Sequence, residues 1–303
     1  PMRTQACSAV SDIVLAAMDI VSQADSGSAA VSQQFVDSVS SGKAQVCVLT
    51  PLLQMMNGTA GDGYAAGARF VDVSKLTLDT VHMLLQSSGR SIMHAWSVVF
   101  DIIHTVLDTP QATGAAGTES RQPGYLMRRV FPCLQLICSD YLEDLPPHCL
   151  RRCIECLALF GRQNEDLNIA LTAIGQAWAV CDFLQGLQPT VSGGGNVELV
   201  STVLAASSKD THEAIGEIAR MWWHEDLADV SAHATQQVLW ILLLHSLAQL
   251  GCDRRHEVRL GAIQTLFRTL DMRGSAFDAW LWDAVVWAVV LPLSRYTLEQ
   301  RSR

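Results

Sequence analysis

The chain has 303 residues, 49% of them hydrophobic, a formal net charge of −9 and a mean hydropathy of +0.20. That acidic balance, with Lys43, Lys75 and Lys209 as its lysines, excludes a basic phosphate-binding face for nucleic acid and offers no polybasic run to hold an anionic bilayer. The apolar fraction is ample for a buried core, and the length permits one large domain or two.

The nine cysteines follow no regular spacing, which points to buried thiols in a reducing compartment. A start at Pro1-Met2 reads as an excised fragment of a larger protein. Almost every apolar run carries helical spacing, and no alternating run bounded by hairpin turns suggests a sheet. The spacing predicts helices near 4–25, 29–41, 43–57, 72–88, 90–108, 122–143 and 146–161. Further helices are expected near 164–187, 196–206, 209–225, 231–250, 254–273 and 277–292. Small polar, glycine-rich stretches near 57–67, 109–124 and 188–196 read as surface loops within one continuous array, residues 1–303. The apolar runs 238–250 and 280–293 fall short of the roughly 20 residues a spanning helix needs, so no transmembrane segment is expected.

Helix 164–187 is the most informative element. Asn164 can serve as its N-cap, with Glu165 and Asp166 in the first turn where the helix dipole favours negative charge. Leu167, Leu171, Ile174, Trp178, Cys181 and Leu184 make one apolar stripe. Helix 254–273 has Asp253 as a possible N-cap and a face of Val258, Ala262, Leu266 and Leu270, widened by Ile263 and Phe267. Arg268 and Arg273 lie near its last carbonyls, Gly274 stops it, and Asp278 starts the next helix. Paired antiparallel helices repeating about every 40 residues imply an all-α fold: an α-solenoid of HEAT- or armadillo-like hairpins, each burying its apolar face against its neighbours.

Several blocks carry a family resemblance. LQSSGRSIMHAWSVVFDII (Leu85 to Ile103) resembles the segments that follow the catalytic domain in large Arf guanine-nucleotide exchange factors. LQLICSDYLEDLP (Leu134 to Pro146) and DLNIALTAIGQAWAVCDFL (Asp166 to Leu184) resemble one branch of their relatives, the Mon-two (monensin-sensitivity) Golgi trafficking scaffolds, which lack the exchange domain. EVRLGAIQTLFRTLDMRGSAFDAWLWDAVVWAVVLPL (Glu257 to Leu293) is similar to a segment of both branches, so the DLNIALTAIGQAW block separates them. The resemblance implies a non-enzymatic scaffold, peripheral on trans-Golgi network and endosome membranes. It implies Dopey-family partners and, through them, links to a phospholipid flippase complex and Arf-family GTPase machinery. The alternative it leaves open is the regulatory downstream region of a true large Arf exchange factor.

Site candidates weigh mostly toward packing. His148, Cys149, Cys153 and Cys156 are close in sequence, but a zinc site would want a second ligand pair, so buried thiols are the expectation. The histidines form no HExxH signature, no GxSxG elbow is present, and Gly193 to Gly195 lead into no P-loop lysine. The pairs Glu143-Asp144 and Glu225-Asp226 read as solvated helix ends, as do Arg128-Arg129, Arg151-Arg152 and Arg254-Arg255. Asp140 and Asp182 are read as caps or inter-helix hydrogen-bonding groups. Trp223 is the candidate partner contact, because it points about 100° away from the core-facing Trp222 on an ideal helix. Trp280, Trp282 and Trp287 are expected to meet neighbours on more than one side. No catalytic, cofactor-binding or metal-ligating residue is assigned.

Overall fold

The computed structural model describes residues 2–25, 42–57, 71–107, 123–187 and 232–301. The expected helices 29–41, 196–206 and 209–225 lie outside them, as do the three expected loops apart from terminal positions. All regular structure among the described residues is helical, with no strand. The chain forms two compact units, Pro1–Cys149 and Leu150–Arg303.

In the first unit, α1 (Met2–Asp25), α2 (Lys43–Asn57), α3 (Val71–Ser88), α4 (Trp96–Leu107) and α5 (Pro123–Asp140) follow in order. Alternate helices pack on one another, α1 on α3 and α3 on α5 in one row, α2 on α4 in the other, with α2 also against α1 and α3. Apolar residues at three- and four-residue steps supply the seams, as with Val14, Met18 and Val21 on α1 and Leu49, Leu52 and Met56 on α2. Helix α4 is buried on most sides, including Trp96, Phe100 and Ile103, as its continuous apolar sequence requires. Full burial of a side chain like Phe100 is worth about 1.5–3 kcal/mol.

The second unit holds most of α6 (Pro147–Arg162), then α7 (Leu167–Gly186), α8 (Ala232–Leu250), α9 (His256–Arg273) and α10 (Ala279–Val285). A π-helical turn (Val286–Val290) carries α10 into α11 (Leu291–Arg301). Alternation recurs, with α7 on α9 and α8 on α10, while α8 also meets α7 and α9. Ile154 and Leu157 of α6, Ala173 and Ala177 of α7, and Leu243 and Leu247 of α8 line a small apolar gap.

Among the described residues, two helices are long and apolar enough to cross a membrane by length and composition, at Thr4–Ser22 and Leu167–Gly186. These are not the two runs that the sequence singles out for that test. Within its unit α7 packs against α8 and α9, and α1 packs against α2 and α3.

Four helix ends depart from the spacing, the first of them because the distant Gln45 side chain takes backbone groups that the helix would have used. The run expected as 90–108 starts at Trp96, after a 3-10 turn (Gly89–Ser91) and the extended Ile92. The run expected to 143 ends at Asp140, and Leu142–Asp144 form another 3-10 turn. Helix α7 starts at Leu167, and its N-cap is Asp166 rather than Asn164. The last run continues past 292 to Arg301, although Pro292 follows the π turn.

Candidate functional site

The break between α3 and α4 is built around Gln45, a buried polar side chain on α2. Its Nε2 donates to the Ser91 carbonyl at 2.8 Å, and its Oε1 accepts from the backbone N–H groups of Met93 and His94, each at 3.0 Å. These are groups that an uninterrupted helix would pair internally, so the clamp stops the helix there. Beneath the turn, Gly42 has φ +71°, and a Cβ there would stand 2.3 Å from the His94 ring. At Gly89 a Cβ would meet the Tyr141 ring at 2.4 Å, so the glycine makes room for it. Met93 and His94 are left exposed on a fixed turn.

The junction between α6, α7 and α9 is also polar. Gln163 is buried; its Oε1 accepts from the N–H groups of Glu165 and Asp166, and its Nε2 donates to the Asp166 carbonyl. Asp166 then accepts from the N–H groups of Asn168 and Ile169, at 3.0 and 3.4 Å. Asp253 does not cap α9, whose N-cap is Arg255 without a side-chain cap bond. Instead its carboxylate accepts from the N–H and the guanidinium of Arg255 at 2.8–2.9 Å. That guanidinium also donates to the carbonyls of Gly161 and Gln163, closing the end of α6. Arg255 is therefore a structural bridge rather than a solvated charge. Its hydrogen bond holds the Asp253 carboxyl below the usual carboxylate range, against the opposing effect of partial burial.

The stripe expected on α7 is rotated. Ile169, Ala170, Ala173, Ile174, Ala177 and Cys181 are buried, while Leu167 is exposed and Trp178 half-buried. Alanine at 170, 173 and 177 lets neighbouring backbones come close, and the larger residues move to the flank. Trp178 lies under the guanidinium groups of Arg268 and Arg273, 4.7 and 5.6 Å from its ring centre. Arg273 also pairs with Asp182, so that acid makes the expected inter-helix contact. The two arginines serve this seam, and Phe267, expected to widen the buried face of α9, is 47% exposed. Thr269 takes a buried place instead and meets the Cys181 thiol at 3.5 Å.

Cys149, Cys153 and Cys156 are completely buried along α6, as the apolar reading expects, whereas His148 is exposed. Among the described residues, no group of three or more His, Cys, Asp or Glu side chains could hold a metal ion. Burial pushes the Cys133 thiol up to about 12 and the Cys181 thiol up to about 11, so both are protonated, weak nucleophiles at neutral pH. Burial also lowers the Arg162 guanidinium, which donates to Gln249 on α8.

Other charged candidates lie at surfaces. Glu143 and Asp144 are exposed in their 3-10 turn, and Asp140 is exposed at the end of α5. Arg129 pairs with Asp79 at 3.1 Å and covers Tyr125, while Arg151 pairs with Glu155 at 2.8 Å. Trp223 and the pair Glu225-Asp226 fall outside the described residues. Of the last tryptophans, Trp282 donates from its indole to the Gly274 carbonyl at 3.0 Å and packs on Phe277. Trp287 is 61% exposed and points away from the unit. The helical spacing alone names both rings without telling which of them turns outward. What the described surface offers is contact, through exposed apolar side chains on α9, α10 and α11.

Comparison with known proteins bears on that surface. Residues 139–302 match the model of a family described as the C-terminal region of Mon2 protein. A protein from Drosophila melanogaster named Protein MON2 homolog is 32% identical over 222 residues, covering 73% of this chain and 11% of the fly protein. The human Protein MON2 homolog is 28% identical over 251 residues, covering 83% of this chain and 13% of its own length. An Arabidopsis thaliana protein named Brefeldin A-inhibited guanine nucleotide-exchange protein 2 is 20% identical over 231 residues, covering 75% of this chain and 12% of its own. The chain therefore spans little more than a tenth of the length of these relatives. No solved structure matches it. Matched by the family model over more than half of its residues, and aligned to a Mon2 homologue over 73% of them, the chain belongs to the Mon2 family.

Proposed function

We propose that this chain is a non-enzymatic, protein-binding part of a Golgi and endosome trafficking scaffold. The observation that carries the reading is the family match over residues 139–302. The packing of alternate helices within each unit supports an α-solenoid of HEAT- or armadillo-like hairpins, an architecture whose long exposed faces suit partner binding. Protonated, buried thiols and acids engaged in capping fit a surface that binds rather than a site that reacts.

The partner class is the Dopey family, with a phospholipid flippase complex and Arf-family GTPase machinery reached through it. The place of action is the cytoplasmic face of trans-Golgi network and endosome membranes, with peripheral attachment through the full-length protein. Relatedness to a guanine nucleotide-exchange protein supports the Arf link, and it is also the observation behind the second reading, a regulatory region of a true large exchange factor.

The experiment is co-precipitation of the purified chain with a Dopey-family protein, together with imaging of the full-length protein against Golgi and endosome markers. Retention of the Dopey protein by the chain and marker overlap are the expected results. A full-length protein that neither binds Dopey nor reaches those membranes overturns the scaffold reading, and an exchange domain preceding this region in its gene favours the second.

A further inference from the structure

Along α10, the π turn and α11, four exposed residues follow at four-residue steps: Asp283, Trp287, Leu291 and Arg295. The opposite side, including Leu281, Val285, Val289 and Leu293, is buried in the unit. In an uninterrupted α-helix each four-residue step drifts by about 40°, so three steps would carry the line well around the helix. The wider π turn at Val286–Val290 takes back part of that drift and keeps the four residues on one outward line. Pro292, which has no N–H for the Ala288 carbonyl, supplies a local reason for the turn.

The line reads acid, apolar, apolar, base, and it is symmetrical about Val289, with Asp283 and Arg295 equally distant from it and Trp287 and Leu291 likewise. Laid antiparallel against itself, it sets Asp283 opposite Arg295 of a second copy and Trp287 opposite that copy's Leu291, and the same contacts repeat in reverse. A parallel arrangement would set like charges together. Self-complementarity of this kind is the requirement for a twofold interface, in which one patch serves both partners. Among the described residues, neither Asp283 nor Arg295 is paired with another charge, and Trp287 is 61% exposed. We infer that the outward face of α10 and α11 binds a second copy of this chain, antiparallel, about an axis near Val289.

Sedimentation velocity of the full 303-residue chain over a concentration series tests this. The expected behaviour is a monomer–dimer equilibrium that Trp287→Ala weakens by about tenfold or more, as for a central aromatic anchor. Asp283→Arg and Arg295→Asp each set like charges face to face and abolish the dimer. The combined Asp283→Arg/Arg295→Asp chain exchanges the charges and regains it. All three substitutions are at exposed positions, and circular dichroism checks that helicity is kept. A chain that stays monomeric throughout overturns the inference. So does a dimer indifferent to Trp287→Ala, or a charge-exchanged chain no better than its single variants.

Discussion

The hydroxyl of Tyr141 donates to the carbonyl oxygen of Leu85 at 2.6 Å, so the residue that ends α5 also satisfies a carbonyl in the last turn of α3. The ring packs on Trp96 with centroids 5.8 Å apart and fills the space that Gly89 leaves open. Tyr141→Phe keeps the ring but leaves a buried carbonyl without its donor, and the expected loss is about 1–2 kcal/mol in urea unfolding. Gly89→Ala should cost more, because its methyl group overlaps the ring and the ring is held at both ends. An unchanged urea midpoint for both variants would remove this contact from the account of why α3 ends there.

Gln45 supports three backbone groups of the turn after α3. Gln45→Leu preserves bulk and removes all three partners, with an expected cost of about 3 kcal/mol or more if the groups stay dry. Hydrogen exchange gives the more local readout: the Met93 and His94 amides should lose protection before those of α4. Protection retained at both amides in the variant would mean that the turn holds its shape without the clamp.

Asp253 gives a pH dependence with a definite sign. Its carboxyl is held below the ordinary value by hydrogen bonding from Arg255, so its stabilising contribution is present above the unfolded value of about 3.9. The contribution is lost as pH falls through the lower folded value. Thermal midpoints measured from neutral pH downward should therefore fall further for the parent chain than for Asp253→Asn, with the two curves converging in acid. Parallel curves over that window would show that the bridge does not depend on the charged form.

The thiols divide into three classes. Cys47 is exposed, Cys7 and Cys252 are partly exposed, and Cys133, Cys138, Cys149, Cys153, Cys156 and Cys181 are buried. Brief alkylation at mildly alkaline pH, mapped by mass spectrometry, should modify Cys47 in the native chain and the six buried thiols only after unfolding. Rapid native labelling at Cys133, whose thiol lies near 12, would show that α5 opens readily from its neighbours.

Much of the helical layout is legible in the residues themselves. Helix α2 spans the expected 43–57, α3 and α8 differ from the reading by one residue at one end and α6 by one at each, because a three- to four-residue apolar period persists along each. One departure occurs where a side chain far away in sequence decides the local backbone, and another, the start of α7, where the nearby Gln163 and Asp166 do so. Gln45 acts on residues 46 to 49 positions away, and nothing in LQSSGRSIMHAW announces it. Hydrophobicity alone also misplaces Trp178, Leu171 and Phe267, since the apolar pattern ranks them above the alanines that face the core. Asp182 and Asp278 were readable because a polar residue beside an apolar run has few other uses, and both engage as expected, the first with Arg273 and the second with the Leu281 N–H. The surface candidate Trp223 rests on its sequence alone. Trp287 emerges only when exposure is seen.

The alanine face of α7 has a consequence for how this stretch tolerates change. Ala170, Ala173 and Ala177 stand on successive turns against neighbouring helices, at 3% exposure or less. A valine or leucine at these positions outgrows the small gap that Ala173 and Ala177 line, so it must push helices apart along their length, and damage of this sort is not relieved by a rotamer change. The stretch that most clearly marks the lineage is thus also one whose side chains cannot grow, and substitutions there should be confined to residues no larger than serine.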